Sequence, residues 1–238
     1  IADRSIDLLE DNAHGLFATY QGRMLGTFGR LATLSFHETK NFTCGEGGAL
    51  ILNQQRDLDR AHVLLHKGTN RRALMLGEVD KYSWHDLGSS FGLSEMNAAF
   101  LLAQLEARQA ILARRREVFD GYDRLLRPQA AALGLTLPEV PAGDVPGYHL
   151  YFVLLPDRAA RDRVLAEMRA AGVMATFHYV PLHSAPGGRR FAARETACPV
   201  TDDVSGRLLR LPFHNALTPE QVERTAATLV AACRRAHP

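Results

Sequence analysis

The densest chemistry in the chain lies in Leu34-Ser-Phe-His-Glu-Thr-Lys-Asn-Phe-Thr-Cys-Gly-Glu-Gly-Gly. Lys40 follows an apolar run that ends in Ser35 and His37, and a glycine-rich turn leads into the next apolar run. A lone lysine after a strand is ordinarily a solvated surface group, and only its context raises it above that. A lysine that forms Schiff bases must be partly desolvated, so that free amine exists near neutral pH. The Ser35 hydroxyl and the N–H groups of such a loop could grip a phosphate. A second group, Glu10-Asp-Asn-Ala-His, closes an earlier apolar run. Ligands of open parallel sheets gather at strand C-termini, so Asp11 and Lys40 would face one crevice. An aspartate there can pair with a protonated ring nitrogen, and His14 is near enough to meet a phenolic oxygen. On spacing alone, Asp11 as a helix cap and His14 as an ordinary half-buried histidine stay open.

Other constellations are weaker. His178 and His183, in His-Tyr-Val-Pro-Leu-His, could bind a metal or phosphates, or be plain loop residues. His62 and His66 have the i, i+4 spacing of metal ligands on a helix, but no third ligand lies nearby, so they read as a surface face. Tyr82 and Trp84 could stack on a base or sugar, or anchor their own loop.

The elements that must position these groups alternate between strand and helix. Ser5–Leu9, Leu31–Phe36 and Ala49–Leu52 are short apolar runs suited to buried strands, and Asp57–Lys67 is a helix candidate. Residues 68–92, rich in Gly, Ser and Asn, read as a long ordered loop. From Ser94, a helix N-cap, apolar residues recur at helical spacing to about Leu126, which implies one long helix and a domain boundary near residue 120. Beyond it come strands at His149–Leu155, Val173–Val180 and Leu208–Pro212, and a helix at Asp157–Ala171 closed by Gly172. The last helix, Pro219–Arg235, opens with Thr218 at the cap, Pro219 at its first position and Gln221 completing a capping box.

Composition bounds the partners. Twenty-eight basic against 26 acidic residues give a net charge of +2, which makes no electrostatic case for nucleic acid. Arg114–Arg115–Arg116 reads as a solvated helix face. No apolar run is long enough for a membrane helix, and no signal peptide is visible. Three cysteines without CxxC spacing suit a reducing cytoplasm and argue against disulfides and zinc. The chain opens on Ile1 and enters a strand-like run almost at once, which suggests truncation.

Asp11-Asn-Ala-His, Ser35-Phe-His-Glu-Thr-Lys-Asn, Gly45-Glu-Gly-Gly and His178-Tyr-Val-Pro-Leu-His together resemble the DegT/DnrJ/EryC1/StrS sugar aminotransferases. Lys67-Gly-Thr-Asn-Arg, Val79-Asp-Lys-Tyr-Ser-Trp, Asp86-Leu-Gly-Ser-Ser and Leu209-Arg-Leu-Pro-Phe-His extend the resemblance toward the dTDP-4-amino-4,6-dideoxygalactose transaminase subgroup. The resemblance implies a fold-type-I α/β enzyme dependent on pyridoxal 5′-phosphate. Residues 1–120 would be the C-terminal part of the large, mostly parallel α/β/α cofactor domain, and 121–238 a small α/β domain. It implies Lys40 as Schiff-base lysine and general base, Asp11 as partner of the pyridine nitrogen, His14 beside the ring hydroxyl, and Ser35 on the phosphate. Ser90 stands where many relatives place an Asn that reaches the neighbouring subunit's phosphate, and Asn12 replaces the usual Ala. His37, Asn41, His178, Tyr179 and His183 would meet a nucleotide-linked keto-sugar, with glutamate as amine donor and a homodimer sharing its sites. A family dehydratase is the rival chemistry, but such relatives replace the lysine with His. A second rival is a non-catalytic fragment, because family members begin with a long segment that this chain lacks.

Overall fold

The computed structural model describes residues 4–194 and 196–236. Ile1 lies outside them. The chain divides into two compact units, Ile1–Gln109 with Pro141–Gly147, and Ala110–Val140 with Tyr148–Pro238.

The first unit is built on a three-stranded sheet of order β1 (Leu9–Asp11), β4 (Leu31–Ser35), β5 (Gly48–Leu52). β1 runs parallel to β4, with Leu9 opposite Leu31 and Asp11 opposite Thr33. A parallel pair needs a long crossover, and residues 12–30 supply it with a small hairpin, β2 (Thr19–Tyr20) and β3 (Arg23–Met24), in place of a helix. β4 and β5 run antiparallel, because residues 36–47 fold as a tight loop without a crossover helix. The first strand starts later than its sequence suggests: Ile6 and Leu8 precede it, exposed, and only Leu9–Asp11 has a partner in β4.

Helix α1 (Leu58–Leu65) leads into the long loop, which carries a short helix, α2 (Arg71–Met75). The loop is ordered by its own bonds. Lys67 N–H donates to Ser89 O, Trp84 pairs with Thr69, and the Asn70 side chain joins Lys81 O to Ser83 N–H. His62 and His66 are half-buried on this element, not a solvated face, and burial lowers the His62 imidazole. The long helix expected from Ser94 is two helices, α3 (Glu95–Glu106) and α4 (Arg108–Leu126). Ser94 caps the first through Asn97 N–H. Ala107 leaves helical geometry at φ −83°, ψ 9°; its N–H still donates to Ala103 O at 3.2 Å, and the Arg108 guanidinium turns back to Leu105 O.

The second unit pairs β6 (Phe152–Leu154) with β7 (Leu208–Arg210) antiparallel, against α5 (Arg158–Ala170) and α8 (Pro219–Ala236). Asp157 caps α5 by accepting from Ala160 N–H at 2.8 Å, and Gly172 ends it at φ 75°. The α8 capping box is complete: Gln221 N–H donates to the Thr218 hydroxyl, and Thr218 N–H to the Gln221 side chain. Val222, Ala226, Leu229, Val230 and Cys233 repeat along its buried face. Two short helices, α6 (Pro186–Phe191) and α7 (Pro199–Arg207), each open on a proline but carry no apolar periodicity. The strand expected at Val173–Val180 shrinks to one bridge between Thr176 and Arg210.

The arginine triplet is not a solvated face. Arg115 is buried and donates to Tyr148 O, His149 O and the Asn215 side chain. Burial holds its guanidinium down to about 10, still charged at neutral pH. Arg114 reaches Asn215 O and Leu217 O, leaving Arg116 as the solvated member.

Candidate active site

Alternation along β1 sends Glu10 and Asp11 to opposite faces of the sheet. Glu10 is a structural clamp that sequence reading passed over in favour of its neighbour. Its carboxylate accepts from the N–H groups of Gly26, Phe28 and Gly29, each at 2.7 Å. Burial alone would raise this acid, but the three N–H groups and Arg23 outweigh it and hold the carboxyl below its usual range. The Asn53 amide grips the same turn from the other side, donating to Gly26 O and Gly29 O.

Asp11 is exposed and accepts from Ala13 N–H at 3.2 Å, which fixes the carboxylate at the mouth of the loop. By register it lies opposite Thr33, on the face that Ser35 shares two residues along β4. The loop past Asp11 turns through the buried Asn12, whose Oδ1 would lie 2.1 Å from any Cβ at residue 15, so Gly15 is required there.

Lys40, half-buried, lines a small recess with Ala13, His14, Leu16, Ser35, Asn41 and Phe42. The recess wall is held by an edge-on contact between Phe17 and Phe42, centroids 5.2 Å apart, with Phe17 at φ 67°. His37 caps the turn into Lys40: its Nδ1 accepts from Thr39 N–H, Lys40 N–H donates to His37 O, and Nε2 lies 3.6 Å from Glu46. The Asn41 amide donates to Gly147 O, and a Cβ on Gly147 would come within 2.6 Å of His14 O. The segment Pro141–Gly147 thus closes against the His14–Asn41 wall. His14, Ser35, Lys40 and Asn41 are brought together in the recess, and Asp11 stands outside its lining, on the sheet face of Ser35; Ser90 is not part of the recess and pairs with His66 in the long loop. Trp84 donates its indole N–H to Asp86 O and leaves its ring exposed.

The remaining predicted residues belong to the second unit. The His178 and Tyr179 rings meet at a tilt with centroids 4.8 Å apart, and His178 Nδ1 faces the Arg210 guanidinium at 3.3 Å. Burial and then Arg210 lower its imidazole. Tyr179 is exposed at φ 49°. His183 pairs with Asp202 at 3.0 Å, a partner that no sequence feature announced. No cluster of three metal-ligating side chains occurs among the described residues.

The fold defines a class first: this is the fold-type-I architecture of pyridoxal-dependent transferases. The aminotransferase TlmJ from Streptoalloteichus hindustanus superposes with a TM-score of 0.86 at 27% identity, over 98% of this chain and 60% of that one. PseC from Helicobacter pylori shares the fold at the same TM-score and 23% identity, over 98% of this chain and 61% of that one. The chain belongs to the DegT/DnrJ/EryC1/StrS aminotransferase family, whose model matches residues 1–230. Among curated relatives, dTDP-4-dehydro-2,3,6-trideoxy-D-glucose 4-aminotransferase from Saccharopolyspora spinosa is 30% identical over 229 residues, 94% of this chain. GDP-perosamine synthase from Escherichia coli O157:H7 is 28% identical over 223 residues, 92% of this chain. The chain spans 58% of the length of the first and 56% of the second.

Proposed function

We propose that this chain carries the Schiff-base lysine of a pyridoxal 5′-phosphate-dependent aminotransferase. The enzyme would move an amino group from glutamate to C4 of a nucleotide-linked 4-keto-6-deoxy sugar, dTDP-4-keto-6-deoxyglucose. One observation carries the reading: a primary amine, an imidazole and a hydroxyl, Lys40, His14 and Ser35, line one recess, with the Asp11 carboxylate on the sheet face of Ser35. That donor set fits the four polar edges of pyridoxal 5′-phosphate, which are aldehyde, phenolic oxygen, phosphate and ring nitrogen. When bound, the cofactor supplies the carbonyl that takes up amines and the electron-withdrawing ring.

The chain's own residues do the rest. Lys40 Nζ takes the proton from the amino-bearing carbon of glutamate and later returns one to C4 of the sugar. Asp11, oriented by Ala13 N–H, would keep a proton on the ring nitrogen of the bound cofactor. His14 would donate toward the phenolic oxygen and Ser35 toward the phosphate. His37, Asn41, His178, Tyr179 and His183 meet the nucleotide-sugar, and Ser90 serves the partner subunit's site in a homodimer. The first unit, residues 1–109 with 141–147, acts as the cofactor domain, and the second, residues 110–140 with 148–238, as the small domain. The names of the two curated relatives support a nucleotide-sugar substrate. No described helix is long and apolar enough to cross a membrane; the cytoplasmic assignment rests instead on three cysteines without disulfide or CxxC spacing.

The test supplies pyridoxal 5′-phosphate, glutamate and dTDP-4-keto-6-deoxyglucose, and follows 4-amino sugar and oxoglutarate by mass. Equal amounts of both, lost by at least about a thousandfold in Lys40→Ala, are expected. Amino transfer that survives Lys40→Ala would refute the assignment.

A further inference from the structure

Arg210 is the residue that sequence reading left without a role. It lies on β7, and its backbone exchanges hydrogen bonds with Thr176 (Arg210 N–H to Thr176 O at 2.7 Å, Thr176 N–H to Arg210 O at 3.1 Å). That pairing fixes Arg210 beside the segment that carries His178, independently of either side chain. The guanidinium Nη1 then lies 3.3 Å from His178 Nδ1.

A guanidinium has donors only, so the imidazole nitrogen facing it must accept, and the ring proton belongs on the other nitrogen. We infer that Arg210 is a positioning residue, holding His178 as a neutral imidazole protonated on Nε2, so that Nε2–H is a donor for an anionic oxygen of the ligand. The surroundings agree. The Tyr179 ring meets the His178 ring at a tilt, and a second cation, Arg161, lies 5.8 Å over the ring of neighbouring Phe177. No carboxylate among the described residues pairs with His178 or Arg210, so nothing favours the imidazolium. Burial and the Arg210 charge act in the same direction on His178. Arg210 Nε is itself buried without a hydrogen-bond partner, so the guanidinium keeps an unanswered donor beside the ring. A phosphate oxygen suits this pair better than a neutral carbonyl. That choice of oxygen rests on the aminotransferase reading; the tautomer does not.

The test uses the full chain labelled with 15N-histidine and long-range 1H–15N spectra. In the wild type, His178 should be protonated on Nε2 and bare on Nδ1, and should take up its second proton at a pH below the ordinary imidazole value. Arg210→Gln keeps a donor without the charge, so the tautomer should persist while the ring titrates at higher pH. Arg210→Met should lose both effects and bind dTDP about tenfold more weakly, the scale of one charge-assisted hydrogen bond. In the wild type, dTDP should shift the Nε2–H resonance. A wild-type His178 protonated on Nδ1, or an Arg210→Met protein with an unchanged tautomer and titration, would overturn the positioning role. The expected tautomer with no response to dTDP would overturn the oxyanion role and leave the positioning intact.

Discussion

The two units of this chain are held together by different means. In the second, Tyr122, Leu126, Tyr151, Val153, Leu209 and Leu229 are fully buried in one continuous apolar core. In the first, burial falls on scattered groups such as Ala32, Phe36 and Phe42, while Leu9, Leu50, Trp84, Phe91 and Met96 stand exposed. What orders the first unit is hydrogen bonding: Glu10 and Asn53 on one turn, Gln104 on Thr43, Asn70 across the long loop. The lesson concerns where chemistry is carried. The lysine recess sits in the unit with less apolar packing of its own, and that unit presents broad apolar surface suited to covering by another protein surface.

That contrast can be broken in several places. Hydrogen exchange on the whole chain should find core amides of β6 and α8 at least about a thousandfold more protected than those of β1 and β5. Comparable protection in both units would refute the difference. Next in size, Leu229→Ala should cost about 2–5 kcal/mol, because it opens a cavity in a closed core. Leu50→Ala, on an exposed strand position, should stay within about 0.5 kcal/mol of wild type by the same chemical denaturation.

Acid should act first on the first unit. The folded Glu10 carboxyl lies below its usual 4.5, so its contribution is fully present above that value and is lost as pH falls through the folded pKa. The amides of Gly26, Phe28 and Gly29 should therefore lose protection below about pH 4.5 while α8 amides hold. Glu10→Gln should abolish that pH dependence, and an unchanged acid profile in the variant would remove Glu10 from the account. An effect smaller than that of the Leu229 cavity belongs to the second unit's best-signalled feature. Thr218→Ala should cost about 1 kcal/mol in thermal or chemical unfolding, as an N-cap loss does.

Sequence was most informative where local chemistry decides local structure. The α8 capping box, the Asp157 cap, the Gly172 stop and strands β4 and β5 follow from residue types acting over a turn or two. α6 and α7 escaped because Pro186-Gly-Gly and Pro199-Val-Thr-Asp-Asp lack apolar periodicity and are shaped by their surroundings. Val173–Val180 has strand composition, but pairing there ends after one bridge, and composition cannot report a missing partner. In the candidate site, the lysine segment stood out through its dense motif. Glu10, Arg210 and Asp202 did not, since each acts on residues distant in sequence: Gly29 on Glu10, His178 on Arg210, His183 on Asp202.

The central claim is that Lys40 is the lysine that binds the cofactor. Borohydride reduction of the protein loaded with pyridoxal 5′-phosphate, followed by peptide mapping, tests it most directly. The account predicts the reduced cofactor mass on the peptide containing Lys40, at near one per chain. The mass on Lys67 or Lys81 instead, with Lys40 unmodified, would contradict it.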